Sequence, residues 1–392
     1  MSAPSALPAF AGVWFSYFAA IGLFNPYAPL WFKELGMSTL AIGAMAALQS
    51  WTRVFAPYAW GWLGDRRGQR VQVLRWACLA ALAAALALLA VRGHVAVAVC
   101  TALLFVANGG VVPLSEAALS QHLSRGGAMD VAQYGRVRVW GSFGFVLSVL
   151  VFGGVLEAAG MPSFPWFVVA TFVVLALAAH RLPPVMPTAA DAAQAPPVFS
   201  VLRRPAVAWF FLAVFLTVLA HTSLYAFFSL YLDELGYGKG EVGALWAVAV
   251  IIEMAVFWTQ GRWFHRLSLH RWIELAAALS VLRFAAIAAF GEVAPVLVAA
   301  QLLHALTFAT QHAACIALIN RHFPGTLRGR GQALYTTLGY GLSGVLGGIG
   351  GGWLSARHGF TALFWAASAC ALLGVAAARQ ARKLDADGPA VG

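Results

Sequence analysis

The chain is expected to be an all-α membrane protein with twelve transmembrane helices in two pseudo-symmetric halves of six. Three observations lead there. Of its 392 residues, 61% are hydrophobic and only 10% are charged, with a mean hydropathy of +0.79. A soluble domain carries about 25% charged residues. Apolar runs near the ~20 residues that cross a bilayer alternate with short polar breaks. The two halves also repeat at a fixed offset of 200 residues, which marks a duplicated bundle.

Taken in order, the spans fall at 10–33, 38–62, 71–92, 94–122, 133–158, 163–182, 206–232, 239–261, 271–291, 294–322, 330–356 and 359–379. Lipid offers no hydrogen-bond partners to a backbone, so each span is read as helix. Met1–Pro8 has no basic n-region and the first apolar run is too long for a signal peptide. The first helix is therefore expected to remain as an anchor. The break at 183–205 holds Pro183, Pro184, Pro187, Pro196, Pro197 and Pro205, a linker composition. It separates an N-terminal six-helix bundle (1–182) from a C-terminal one (206–379), with a cytoplasmic tail at 380–392. Under the offset, Glu34-Leu35-Gly36 meets Glu234-Leu235-Gly236, Gly43 meets Gly243, Gly61 meets Gly261, Arg66 meets Arg266, and His122 meets His322.

An even helix count places both termini on one side. That side collects seventeen basic residues, Arg125 among them, and the other holds only Lys33, Arg92, Lys239 and Arg357. Basic loops stay cytoplasmic, so both termini are expected there. The net charge of +11 then needs no nucleic-acid partner. Cys78, Cys100, Cys315 and Cys370 sit in apolar runs without metal or CxxC spacing, and read as buried core thiols. The bias toward Arg over Lys, and toward Ala, fits a GC-rich bacterium, hence a bacterial inner membrane.

The break after the second span reads Gly61-Trp62-Leu63-Gly64-Asp65-Arg66-Arg67-Gly68-Gln69-Arg70. It resembles the G-x-L-x-D-R-x-G-x-R loop of the major facilitator superfamily. Physically it offers a tight glycine turn, an acid able to meet a helix end, and arginines facing the cytoplasm. The resemblance makes Gly61, Asp65, Arg66, Gly68 and Arg70 a conformational-switch loop. The second copy, Gly261-Arg262-Trp263-Phe264-His265-Arg266, lacks the acid. Four further segments look like the 3-phenylpropionate permease group. They are Asn25-Pro26-Tyr27, Tyr134-Gly135-Arg136-Val137-Arg138-Val139-Trp140-Gly141, Leu303-His304-Ala305-Leu306-Thr307-Phe308 with His312, and Arg328-Gly329-Arg330-Gly331-Gln332. That group is related to the oligosaccharide and nucleoside proton symporters, lactose permease included. The resemblance implies proton-coupled uptake of a small organic solute such as an aromatic acid, and adds Asn25 and Trp140 to the substrate-binding candidates. The chain departs from the group at Glu116, where Asp is expected. The fifth span also lacks the Gly-Pro signature of drug antiporters, which leans toward import.

Charges inside a membrane cost about 2.5–3.5 kcal/mol each on insertion scales, so they face the bundle interior and find partners. Glu253 and Arg283 lie near the middles of the eighth and ninth spans and are expected to pair. They form either a proton-linked switch or a static ion pair, and the pairing is similar to the charged network of lactose permease. Arg53 aligns with Glu253 under the repeat and shares a face with Gln49. It either clamps a substrate carboxylate or pairs with an acid of the other half. Glu116 with Arg136 and Arg138 gives a second acid–base set, unless the arginines only anchor their helix at the lipid surface. A carboxyl group that alternates between apolar and arginine-lined settings can load and release a proton. His304 and His312 share a face with Gln311 nearby, and histidine can relay protons. His221, Tyr225 and Phe228 have the spacing to line a cavity. The aromatics of the first span (Trp14, Tyr17, Phe18, Phe24, Tyr27, Trp31) read as interfacial belt or core before substrate stacking. The glycines at 339–352 read as close packing and a hinge.

The proton-coupling candidates are thus Glu116, Glu253, Arg283, His304 and His312. The substrate-binding candidates are Asn25, Arg53, Arg136, Arg138, Trp140, His221, Tyr225 and Gln311. No Walker motif, metal-ligand spacing or nucleophile elbow appears, so no enzyme activity, catalytic residue, metal or cofactor is expected. The expected partners are the solute, a proton and the bilayer, with a monomer sufficient for function. The rivals are an exporter or a sugar or nucleoside symporter of the same fold, and a solute sensor without flux.

Overall fold

The computed structural model describes residues 6–124, 130–184, 199–324 and 327–386. Most of the expected linker (185–198), the end of the tail (387–392) and Arg125 lie outside the described residues. Regular structure among the described residues is helical throughout. In order it comprises α1 Leu7–Glu34, α2 Thr39–Arg67, α3 Arg70–Ala90, α4 His94–Asn108, α5 Val111–Leu123, α6 Val131–Ala159, α7 Phe164–His180, α8 Phe199–Leu202, α9 Pro205–Glu234, α10 Lys239–Thr259, α11 Leu269–Phe290, α12 Ala294–Leu302, α13 Thr310–His322, α14 Arg328–Leu334 and α15 Ser343–Ala386. Short π-helical segments join α12 to α13 (Ala305–Ala309) and α14 to α15 (Tyr335–Leu342).

Among the described residues, ten stretches are long and apolar enough to cross a membrane. α2 is not among them, because Gln49, Ser50, Thr52 and Arg53 make its middle polar. The last stretch, Arg328–Asp385, has 58 residues, far beyond the ~20 one crossing needs. Gly359 interrupts it with φ 79° and ψ 168°, a conformation open to glycine alone.

Two helix ends repeat in structure as they do in sequence. α1 and α9 each stop at a Glu-Leu-Gly, with Gly36 at φ 81° and Gly236 at φ 86°. In both, the leucine N–H donates to the carbonyl four residues back, Leu35 to Trp31 and Leu235 to Tyr231, each at 3.0 Å. This is the glycine stop that satisfies the last carbonyls of a helix.

The chain divides into two compact units that do not follow the linker alone. Unit 1 contains residues 1–37, 51–191 and 237–247; unit 2 contains 38–50, 192–236 and 248–392. In unit 1, α1 packs on α6 and α7, and α3 on α4, α5 and α7. A methyl group at Gly22 of α1 would sit 2.8 Å from the Phe145 carbonyl oxygen, and Ser148 Oγ donates to the Ala19 carbonyl at 2.6 Å. The helices touch backbone to backbone because small residues face each other. In unit 2, α15 packs on α9 and α11. Val207, Phe210, Val214, Ile273, Leu318 and Phe323 form a core at one end. The expected glycine packing holds in part: Gly347 meets Thr222 and Gly351 meets Phe227 on α9, whereas Gly350 faces open space. Most first-span aromatics are core and not belt. Trp14, Phe24, Tyr27 and Trp31 are buried, and Tyr17 and Phe18 half-buried. Cys78, Cys100 and Cys315 are buried and Cys370 is half-buried, all as free thiols.

Candidate functional site

A polar cluster surrounds Arg283 on α11, which is fully buried in unit 2. Its Nη2 donates to Gln301 Oε1 at 2.6 Å. Its Nη1 donates to His304 Nδ1 at 2.9 Å and to Thr307 Oγ1 at 3.2 Å. A guanidinium only donates, so His304 Nδ1 must accept, and the imidazole proton sits on Nε2. That Nε2 faces Glu253 Oε2 on α10 at 3.7 Å.

The same logic orients His221 on α9. Its Nδ1 lies 2.8 Å from the Thr217 carbonyl, which only accepts, so Nδ1 carries the proton. Its Nε2 then faces Thr307 Oγ1 at 3.3 Å as acceptor. The single Thr307 hydroxyl proton serves either His221 or the His304 carbonyl at 3.2 Å.

His304, Phe308 and His312 stack in one column. Ring centroids are 5.2 Å apart for the first pair, with planes 5° from parallel, and 6.1 Å for the second. The π-helical turn at Ala305–Ala309 lies under this column, a distortion frequent at functional sites. His312 Nδ1 is 3.0 Å from Tyr335 Oη, which lies 3.2 Å from Tyr340 Oη. Beside the column is a small pocket lined by Val218, His221, Tyr225, Phe308, Gln311, His312, Tyr335 and Tyr340.

Arg283 and Glu253 thus lie in one cluster without the expected direct ion pair. Gln301, His304 and Thr307 take the two terminal nitrogens of Arg283, and His304 stands between it and the acid. His221, Tyr225, His304, Gln311 and His312 all join this cluster or its pocket. The sequence gives no role to Gln301, Thr307, Tyr335 or Tyr340. Gln301 lies one helical turn before His304, a signal that could have found it. The tyrosines come from a distant segment.

Unit 1 holds a second set. Glu116 Oε1 on α5 accepts from Arg138 Nη1 at 2.6 Å and from Tyr134 Oη at 3.1 Å. The Arg138 guanidinium also lies 4.8 Å from the Trp14 ring, a cation–π distance. Arg136 does not join. Two positions along a helix turn it to another face, and it is exposed. Trp140 shares that face, exposed and against Phe143. Arg53 is exposed and Asn25 half-buried in the same unit.

The loop after α2 differs from its expected form. Helix continues through Gly61 and Gly64 to Arg67, and the turn comes at Gly68, with φ 62°. Asp65 does not meet a helix end with its carboxylate. Its Oδ1 accepts from Arg70 Nη2 and Nε at 2.8 and 3.0 Å across the turn. Arg66 lies 5.1 Å from the Trp62 ring. In the acid-less second copy, aromatic contacts replace the ion pair. Trp272 Nε1 donates to the Phe264 carbonyl at 2.7 Å, and the two rings stack at 5.3 Å.

A family model described as the MFS_1 like family matches residues 7–366. The chain is 28% identical over 367 residues to the probable 3-phenylpropionic acid transporter of Escherichia coli, covering 92% of this chain and 93% of that one. It is 29% identical over 372 residues to the maltose permease of Geobacillus stearothermophilus, covering 92% and 91%. Among solved structures, a variant of the nucleoside transporter NupG superposes with a TM-score of 0.86 at 17% identity, covering 96% of this chain and all of that one. At that identity the likeness speaks to the fold alone.

Proposed function

Because the chain belongs to the MFS_1 like family, and so is a multi-pass membrane transporter of the major facilitator type, we propose that it takes up a small organic solute together with a proton. The reading includes twelve transmembrane helices in two six-helix halves (1–182 and 206–379), joined by the 183–205 linker. Both termini and the tail are cytoplasmic, in a bacterial inner membrane, and a monomer suffices. Access alternates in the manner of duplicated transporters, with Gly61, Asp65, Arg66, Gly68 and Arg70 as the conformational-switch segment.

The observation that carries this is the line Arg283–His304–Glu253. His304 Nδ1 is held as acceptor by Arg283, so a second proton on that ring would set N–H against N–H and break the bond. Glu253 can take a proton without disturbing any hydrogen bond of Arg283. Glu253 is therefore the proton carrier in unit 2, His304 its neutral neighbour and Arg283 the fixed positive charge. Glu116 with Arg138 forms the companion acid–base pair in unit 1. Arg53, Arg136, Asn25 and Trp140 are kept as candidate substrate contacts of unit 1.

For the solute, we favour 3-phenylpropionate or a related aromatic acid. The E. coli relative is named for that substrate, and the unit 2 pocket is lined by Tyr225, Phe308, Tyr335 and Tyr340, rings that can stack on a phenyl group. Uptake of labelled 3-phenylpropionate into proteoliposomes, with and without an inward proton gradient, tests both parts. Accumulation only with the gradient is expected. Equal uptake without it removes proton coupling. No uptake removes the aromatic acid and moves the screen to maltose and nucleosides.

A further inference from the structure

Three side chains with no part in the transport reading meet at one end of unit 2. His270 opens α11, His322 closes α13 and Asp385 lies at the end of α15. His270 Nε2 is 2.9 Å from Asp385 Oδ2, and the same oxygen is 3.1 Å from Arg321 Nη2. The ligand atoms of His270, His322 and Asp385 all lie within 4.8 Å of one another. His322 Nε2 is buried and has no hydrogen-bond partner among the described residues.

We propose that His270, His322 and Asp385 form a binding site for a divalent transition-metal ion of the zinc class, which ties the ends of α11, α13 and α15 together. Two imidazoles and one carboxylate are a recurrent three-ligand set for zinc, with water in the fourth position. Bonds of about 2.0–2.2 Å to a tetrahedral ion place ligand atoms roughly 3.3–3.6 Å apart. The His270–Asp385 hydrogen bond would open slightly, and His322 would move in. Bound through His322 Nε2, the ion would pair a buried nitrogen that otherwise has no partner, a state that costs about 1–3 kcal/mol. Arg321 stays on Asp385 as the outer partner that orients the carboxylate, a usual arrangement around metal ligands. Calcium and magnesium are excluded by chemistry, because they prefer all-oxygen shells. No sequence spacing hints at the site, since its members come from three distant helix ends.

Full-length protein in detergent, freed of any affinity tag and stripped with chelator, is titrated with Co(II) and then Zn(II). The expected result is visible tetrahedral Co(II) absorption saturating at one equivalent, displacement by Zn(II), and a higher melting temperature with zinc. His322→Ala and Asp385→Asn should each weaken binding by more than about tenfold, with melting of the metal-free variants as the folding check. X-ray absorption on zinc-loaded wild type depends on no variant, and two imidazole ligands are expected. Absence of stoichiometric binding, affinity unchanged in folded variants, or an all-oxygen shell would overturn the site. The three groups would then form a hydrogen-bonded cap only.

Discussion

Arg283 shows how much one buried side chain organises. A charge this deep is tolerated only with its donors engaged, and Gln301, His304 and Thr307 engage two of its three nitrogens. Truncation in Arg283→Ala removes a hydrogen bond from Gln301 and strands His304 Nδ1, at about 1–3 kcal/mol for the unpaired buried nitrogen. A clear drop in melting temperature in detergent is expected. Arg283→Lys keeps the charge but loses the planar fork, so transport should fall more than stability. Glu253→Gln keeps the shape and removes the titrating proton. It should abolish gradient-driven accumulation while leaving solute counterflow across proteoliposomes. Gradient-driven accumulation by this variant at the wild-type level would remove Glu253 as proton carrier.

At the scale of elements, α1 and α6 approach backbone to backbone at their glycines. A methyl group at Gly144 would overlap the Phe15 carbonyl, and Gly22 faces Phe145 in the same way. Gly144→Val should therefore cost about 1–3 kcal/mol through overpacking, read as a lower melting temperature or poor recovery of folded protein. The turn after α2 makes a different demand. Gly68 has φ 62°, where an L-residue pays about 1–2 kcal/mol, so Gly68→Ala should destabilise by that amount. The Asp65–Arg70 pair is partly exposed, and exposed pairs contribute about 0–1 kcal/mol. Asp65→Asn should leave melting nearly unchanged. As the conformational switch would require, the variant should still slow transport. Normal transport in Asp65→Asn would make the loop a passive connector.

For the whole molecule, the outer surface carries large apolar groups that water would not tolerate in bulk. Trp258, Trp166 and Trp62 are 83%, 64% and 60% exposed, as expected of rings in a lipid–water belt. The asymmetry of basic residues predicts both termini in the cytoplasm. Reporter fusions after Gly392 and labelling of cysteines introduced in alternate loops test this. Labelling of the arginine-rich loops from outside would reverse the topology.

Composition and the positions of apolar runs sufficed for a helical membrane chain, because lipid permits no exposed backbone polar groups. Single residues also announced themselves wherever a charge sat in an apolar run, as Arg283, Glu253 and Glu116 did. The repeated Glu-Leu-Gly at 34–36 and 234–236 was visible in the sequence, while its role as a glycine helix stop came from the structure. Partnership was another matter. The link through His304, the exclusion of Arg136 from the Glu116 set, and the arrival of Tyr335 and Tyr340 beside His312 depend on which helix faces meet. So does the junction of His270, His322 and Asp385. Periodicity says which residues share a face of one helix, but rotation and register between helices are set by packing, and only the tertiary structure decides them.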